Sequence, residues 1–398
     1  MQTRRHFIGN VATGLAGSLA TGRVLGANDR LRIGLIGVGD RGTQLAREVI
    51  ACPGTEIVAF ADVYSRRLAD ASKLAPGAKT SMDYRHILDD PSLDAVLIAT
   101  PQHSHAECFI AAMNAGKHVY QEKAMAFTVG QAKQMRAAYQ RAGNRVVQIG
   151  HQGCSLGHVT DALNYLASGS VGHITAIRAT MYRNTPHGKP QWTRPVYPDM
   201  TAETIAWNGF LAGAPARDFD ADRYINWRLF YDYSGGNVHE NMSQQLAFWY
   251  KVMALDIPRA VTMTGGLYRW QDGREVPDTM NVSMEHDTLL FSWDSGFGNN
   301  QLGVTEDVLG TDGTISRGQQ IRYLPQKVNR PDGIEMLGQT NTAPRAHMQN
   351  FFDSVRTGRP TNCPFDIGFR VSIACSMAIE SFYAQRTVRW DPVTEEII

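Results

Sequence analysis

The chain has 398 residues, enough for two domains with cores of their own. Hydrophobic residues make up 43% and charged residues 19%, an ordinary globular balance, and the formal net charge of +1 leaves no case for nucleic acid or an acidic surface as a partner. No basic run interleaves with aromatics, and no repeat or low-complexity stretch stands out. The cysteines Cys52, Cys108, Cys154, Cys363 and Cys375 form no CxxC pair and no metal spacing. They read as small apolar fillers, and no metal site is predicted.

Residues 1–27 read as a twin-arginine export signal. Arg4-Arg5 supplies the charged region, Phe7 to Ala20 is mildly apolar and too short to span a bilayer, and Val24-Leu25-Gly26-Ala27 offers a small-residue cleavage zone. The expected address is periplasmic or extracytoplasmic, with membrane anchoring if the signal stays uncleaved, and the export machinery is an expected partner. A protein folded in the cytosol before export needs few or no disulfides.

A predicted buried strand, 31–36, runs into Gly37-Val38-Gly39-Asp40-Arg41-Gly42, and 43–50 reads as a helix. A GxGxxG motif between strand and helix is a dinucleotide fingerprint. Gly37 permits the tight turn, Gly39 lets backbone approach the pyrophosphate, and Gly42 lets helix pack on strand. The helix N-terminus then faces phosphate. A second strand, 56–61, ends at Asp62, whose carboxylate suits ribose hydroxyls and repels a 2′-phosphate, so NAD is favoured over NADP. Arg66 and Arg67 either soften that preference or form a solvated helix start.

Strands 95–99, 118–120 and 145–150 then alternate with helices 104–115 and 128–142, which predicts a doubly wound parallel sheet over 28–150. Ligands of such sheets bind beyond the strand carboxyl ends. Thr100, Pro101, His103, His105, Glu122, Lys123, His151 and Gln152 fall there. Lys123 is the leading catalytic candidate, able to hydrogen-bond a substrate hydroxyl and the nicotinamide ribose. His151 and Gln152 should face substrate. The polar loop carrying Tyr182, Arg183, His187 and Trp192 suits a sugar ring, or equally a contact between subunits.

On the residues Gly37–Gly42, Asp62, Thr100-Pro101-Gln102-His103-Ser104-His105, Glu122-Lys123, Trp227 and Asp232-Tyr233-Ser234-Gly235-Gly236, the chain resembles the Gfo/Idh/MocA family of oxidoreductases. The resemblance implies a Rossmann domain followed by an α+β domain over 151–398 with a large open antiparallel sheet, through which relatives self-associate. It also implies that the late helix 369–383 returns to the Rossmann domain. The remaining second-half elements are a helix at 159–167, strands at 173–181, 260–267, 281–285, 288–293 and 300–306, a turn at 310–314, and a helix at 345–355. By resemblance Thr100, Pro101, His105, Glu122 and Lys123 join the glycine loop and Asp62 around the cofactor. Lys123 matches the lysine of a Glu-Lys-Pro motif, with Ala124 in place of a proline whose peptide is often cis.

Relatives carry an acid and, four residues on, a histidine base on the helix after Gly235-Gly236. Glu240 and Gln244 occupy these positions, and an amide cannot accept a proton at neutral pH. His239 serves only if the helix starts later. Asn237 and Glu240 also fit a capping box. The resemblance and the export signal together predict an NAD-dependent oxidoreductase of a sugar, glycoside or polyol with tightly bound cofactor. The alternatives are a redox-neutral glycosidase, lyase or epimerase working through a transient keto sugar, and a non-catalytic sugar-binding homologue.

Overall fold

The computed structural model describes residues 30–340 and 345–398. The export reading of residues 1–27 lies outside the described residues. Leu31–Ile398 form one compact unit built on two sheets.

The first sheet contains β1 (Leu31–Ile36), β2 (Thr55–Ala61), β3 (Lys79–Ser81), β4 (Ala95–Ile98), β5 (His118–Gln121) and β6 (Val147–Ile149). Its order is β3-β2-β1-β4-β5-β6, with every pair parallel. This is the doubly wound Rossmann arrangement, whose ligand crevice lies where the strand order reverses. The helix Asp40–Ile50 starts one residue after Gly39 and buries Gly42, Leu45, Ala46 and Val49, a helical stripe, against Ile33 and Leu35 of β1. β3 was not expected from the sequence. It is three residues long and exposed or half-exposed, so it carries no apolar signature.

Both faces of this sheet receive part of their cover from residues 345–384. On one face Met348, Phe351 and Phe352 of the helix Arg345–Thr357 join Ile33, Leu35, Phe60 and Leu97. Gln148 donates to the His347 carbonyl at 2.6 Å. On the other face lie Val96, Ile98 and Ile149 with Phe365 and Phe369 of the helix Phe365–Ala384. Ser372 of that helix accepts from the Ala126 N–H at 3.1 Å, and Ser381 near its far end accepts from Met263 of the second sheet at 3.0 Å. One helix therefore bridges both sheets.

The second sheet contains β7 (Ile174–Tyr182), β8 (Ala260–Gly266), β9 (Thr279–Glu285), β10 (Leu290–Gly296), β11 (Val304–Gly310), β12 (Gly313–Arg317), β13 (Gln320–Pro325), β14 (Met336–Thr340), β15 (Val388–Asp391) and β16 (Glu396–Ile397). The order is β14-β13-β12-β11-β7-β10-β9-β8-β15-β16. It is antiparallel except that β7 and β10 pair in parallel. Along β9, Met280, Val282 and Met284 are buried while the alternate residues Thr279, Asn281, Ser283 and Glu285 face outward, the period-two pattern of a sheet covered on one side. The strand expected at 300–306 begins instead at Val304. An Asx turn, with Gln301 N–H donating to Asn299 Oδ1 at 2.7 Å, holds the preceding residues out of the ladder.

Between β7 and the helix Ser243–Met253, residues 183–236 leave the second sheet and lie along the rim of the first. They have a core of their own, with Ile205, Phe210, Tyr224 and Tyr233 packed around Tyr64. The attachment is made by backbone as well as side chain. Ser65 N–H donates to the Thr204 carbonyl at 3.0 Å, and Ala206 N–H donates to the Val63 carbonyl at 2.8 Å. The Tyr64 hydroxyl donates to Asp199 at 2.6 Å. This cover forms one wall of the crevice described next.

Burial lowers the pKa of His103, His239, His286 and His347 to about 4 and that of His151 to about 3, from an ordinary 6.5. Between these values the unfolded chain binds protons that the folded chain refuses, so stability present above pH 6.5 is lost as pH falls toward 4. The urea midpoint is expected to drop measurably from pH 7.5 to pH 5. An unchanged midpoint over that interval contradicts the neutral, buried state of these rings.

Candidate functional site

Two connected cavities lie at the carboxyl ends of the first sheet. The outer cleft, about 930 Å³ counting space open to solvent, runs from Gly37, Gly39 and Asp62 to the cover residues Arg194, Phe210 and Tyr224. The inner cavity, about 740 Å³ on the same count, is lined by Lys123, Glu122, Gln152, Glu240 and Gln244. Arg41, Thr100, Trp227 and Arg228 line both.

The glycine loop is as tight as its sequence requires. Gly37 has φ +84°, open to glycine at little cost. A Cβ on Gly42 would stand 2.0 Å from the Gly37 carbonyl oxygen. Asp62 is 7% exposed, and its two oxygens accept from Val38 N–H at 2.8 Å and Tyr64 N–H at 3.0 Å. The carboxylate is thus fixed at the end of β2, on the cleft wall, with lone pairs left for further donors. Arg67 stands 3.9 Å from it and donates to the Tyr224 hydroxyl at 2.9 Å. Val38 itself is buried, and its contribution is the backbone N–H.

At the floor of the inner cavity Lys123 Nζ donates to Glu240 twice, to the carboxylate Oε2 and to the backbone carbonyl, both at 2.9 Å. Gln102 donates to the other carboxylate oxygen at 2.8 Å and accepts from Gly235 N–H at 3.1 Å. Arg228 lies 3.4 Å from Oε2. Burial raises the pKa of Glu240, but Lys123 and Arg228 outweigh it and hold the carboxyl at about 2. The Lys123–Ala124 peptide is cis. Arg41 pairs with Glu122 at 2.8 Å, which ties the glycine loop to the strand that carries Lys123.

Glu240 does not close a capping box. Asn237 lies inside the helix with αR dihedrals, makes no cap bond, and donates instead to Ser295 at 2.5 Å. Ser234 caps the turn by accepting from Gly236 N–H at 3.0 Å. Residues Val238–Met242 form a π turn, a local widening that recurs at functional sites. Both Glu240 and Gln244 face the cavity.

His239 does not join them. It is 1% exposed, its ring packs edge-on against Phe127, and a Cβ on Gly235 would sit 2.2 Å from its Nδ1. Its place as a catalytic candidate is corrected on that ground: the ring is sealed away from the cavity. His151 is fully buried, 3.4 Å from the amide oxygen of Gln244, and does not line the cavity itself. Gln152 lines the cavity and lies 3.2 Å from the Tyr120 hydroxyl. His105 braces two strand-end loops, with its ring nitrogens 2.8 and 2.9 Å from the Ala124 and Thr100 carbonyls. Thr100 and Pro101 line the cleft directly.

The polar loop divides. Tyr182 packs against Gly296 on the second sheet, and Trp192 lies edge-on to Phe297 at 4.9 Å. Arg183 donates to Asn241 at 3.1 Å, one residue beyond Glu240. His187 lies with Arg269 at a separate exposed hollow. Of the loop 183–199, the residue that reaches the outer cleft is Arg194, which the sequence reading did not single out. Gln102 and Arg228 were likewise missed as partners of Glu240, although Gln102 lies within the Thr100–His105 motif and Arg228 follows Trp227. No three His, Cys, Asp or Glu side chains gather as a metal site among the described residues.

Residues 31–151 match the GFO_IDH_MocA family, described as an oxidoreductase family with an NAD-binding Rossmann fold. Inositol 2-dehydrogenase of Salmonella typhimurium is 31% identical over 154 residues, 38% of this chain and 46% of that protein. Levoglucosan dehydrogenase of Pseudarthrobacter phenanthrenivorans is 30% identical over 208 residues, 49% of this chain and 51% of that protein. The chain thus spans about half the length of these relatives in alignment. Among solved structures, a levoglucosan dehydrogenase in complex with NADH superposes with a TM-score of 0.70 at 20% identity, covering 90% of this chain and 99% of the other. Aldose-aldose oxidoreductase from Caulobacter crescentus complexed with glycerol gives 0.68 at 20% identity over the same shares. At that identity the likeness establishes the fold, a Rossmann domain followed by a large, mostly antiparallel sheet.

Proposed function

With residues 31–151 belonging to the Gfo/Idh/MocA oxidoreductase family, we propose that the chain is an NAD-dependent oxidoreductase acting on a secondary alcohol of a sugar, glycoside or polyol. The observation that carries this is the Lys123–Glu240 pair, at 2.9 Å, in a cavity that shares Arg41, Thr100, Trp227 and Arg228 with the fingerprint cleft.

The glycine loop, the N-terminus of the helix Asp40–Ile50 and Asp62 fit a dinucleotide, and the fixed carboxylate of Asp62 favours NAD over NADP. When bound, the nicotinamide would supply the hydride acceptor. Lys123 holds the substrate hydroxyl by hydrogen bond, and Glu240, anchored by Gln102, fixes the lysine. A carboxyl at about 2 is too weak a base to keep the proton, and Gln244 cannot take it. The Lys123–Glu240 pair therefore orients the hydroxyl, and its proton leaves to solvent through the open cavity.

The cover over the cleft favours a second reading within the same chemistry. Residues 183–236 wall one side of the cleft, and a nucleotide held there between turnovers would take its hydride back in place, through a second sugar or the same one. In the latter case the enzyme is a redox-neutral glycosidase, lyase or epimerase. Export by the twin-arginine route and self-association through the open sheet face belong to this proposal as well.

The test is to denature the purified protein and identify any nucleotide released, then to incubate the native protein with glycosides and polyols without added NAD. Release of NAD together with a keto sugar and a reduced second sugar is expected. Aglycone release without net NADH selects the redox-neutral form. A protein that neither holds nor binds nicotinamide nucleotide defeats both.

A further inference from the structure

Four arginines, Arg41, Arg67, Arg194 and Arg228, line the outer cleft. Three are committed to partners that are largely buried. Arg41 pairs with Glu122, whose side chain is 6% exposed. Arg67 bonds Tyr224, 2% exposed, and stands near Asp62. Arg228 stacks on Trp227 at 4.3 Å and faces Glu240, 11% exposed. Arg194 differs. Its partner is Asp40 at 2.6 Å, and that side chain is 69% exposed. Exposed pairs of this kind contribute little and are readily exchanged, whereas a buried carboxylate stripped of its cation is costly.

The position of Arg194 is nonetheless built rather than incidental. Its backbone is clamped on both sides by Asn226, 2% exposed, whose Oδ1 accepts from Arg194 N–H at 2.7 Å and whose Nδ2 donates to the Arg194 carbonyl at 3.1 Å. Asn226 Nδ2 also bonds Asp222 at 2.8 Å, so the clamp is itself anchored within the cover. The clamp aims a guanidinium from the cover at the first turn of the helix Asp40–Ile50, where unpaired N–H groups and the helix dipole favour an anion. Asp40, the acid in that turn, is the only carboxylate Arg194 pairs with among the described residues.

We propose that Arg194 is a diphosphate ligand contributed by the cover: it pairs with Asp40 when the site is empty and exchanges that carboxylate for the diphosphate of the dinucleotide when the site fills. The proposal rests on the nucleotide reading above. A diphosphate carries more charge than Asp40 and accepts bidentate bonds from a guanidinium, so the exchange runs toward the nucleotide. Asp40 then acts as a competitor, holding the arginine in place and repelling the incoming anion. The two residues consequently have opposite effects on affinity, which a simple strap closed by the Arg194–Asp40 bridge does not produce.

The experiment is calorimetric titration of nucleotide-free protein with ADP, NAD and adenosine, the last a probe without diphosphate. R194A is expected to weaken ADP and NAD by about tenfold or more, the scale of a charged hydrogen bond, and to leave adenosine unchanged. R194K recovers part of the loss. D40N is expected to tighten ADP. R194A binding ADP within twofold of the parent overturns the assignment, as does D40N weakening ADP. Equal loss of adenosine in R194A also overturns it, because the arginine is then supporting the cover rather than the phosphates. A parent that binds neither ADP nor NAD defeats the nucleotide reading itself, an outcome distinct from these.

Discussion

Lys123→Met is expected to lower kcat by about a thousandfold, within the range for loss of a positioned proton-transfer or charge-stabilising group, while bound nucleotide stays at the parent level. The lysine's hydrogen bonds go to Glu240 and none to the glycine loop or Asp62, so losing its bond to the nicotinamide ribose leaves the main nucleotide contacts in place. Its two bonds go to Glu240, one to the carboxylate and one to the carbonyl inside the π turn. Removing it leaves a carboxylate only 11% exposed with Arg228 at 3.4 Å and Gln102 as remaining partners. Breaking a buried pair in this way costs about 3–5 kcal/mol, so the single variant should also melt earlier. A purely structural lysine predicts that the double variant K123M/E240Q, which removes the stranded charge, recovers activity along with stability. The catalytic assignment predicts that stability returns and turnover does not. Turnover in K123M within threefold of the parent sinks the assignment.

Gly42→Ala is the second large effect, and it acts through a single contact. The added carbon would lie 2.0 Å from the Gly37 carbonyl oxygen, closer than any packed pair of atoms. On its other side Gly37 lies against β4's end, where a Cβ would meet the Ala99 carbonyl oxygen at 2.7 Å. The helix Asp40–Ile50 must then lift from β1, which disturbs Leu45, Ala46 and Val49 in the core. Overpacking of this kind costs about 1–3 kcal/mol. The larger consequence is to the N–H groups that face the phosphates, so nucleotide retained through gel filtration should fall below detection. Gly157→Ala is the matched control: Gly157 has φ −56° and no atom within 4 Å of a built Cβ, so parent stability and nucleotide content are expected. Parent-level nucleotide in G42A would falsify the packing account.

The elements legible in the sequence are those whose cause is local. A glycine fingerprint between an apolar strand and an amphipathic helix can be read because steric need and function coincide within ten residues. Asp62 is legible for the same reason, since a fixed spacing places it at the next strand end. Lys123 required the resemblance as well, and its spacing to Glu240 is set by folding rather than by sequence. What escaped depends on distant approach. Nothing near Arg194 announces that it reaches the glycine loop, and nothing in Gln102 says that its amide bridges Gly235 and Glu240. The expected capping box failed because Asn237 itself already has helical dihedrals and spends its amide on Ser295, leaving that residue without a cap role. The parallel pairing of β7 with β10 escaped because alternating burial is the same for either strand direction.

The closure of the first sheet by the helices Arg345–Thr357 and Phe365–Ala384 has a consequence for how the protein is made. The ribosome delivers β1 to β6 long before it delivers the helices that cover them. At about 5–20 residues per second, the roughly 200 residues between β6 and those helices take on the order of 10–40 s to synthesise. Throughout that interval Ile33, Leu35, Val96, Ile98 and their neighbours lack part of their final cover. The nascent chain must therefore be shielded or held loosely collapsed until residues 345–384 appear. The glycine loop is translated early, but the domain that carries it is completed only about 200 residues after its last strand.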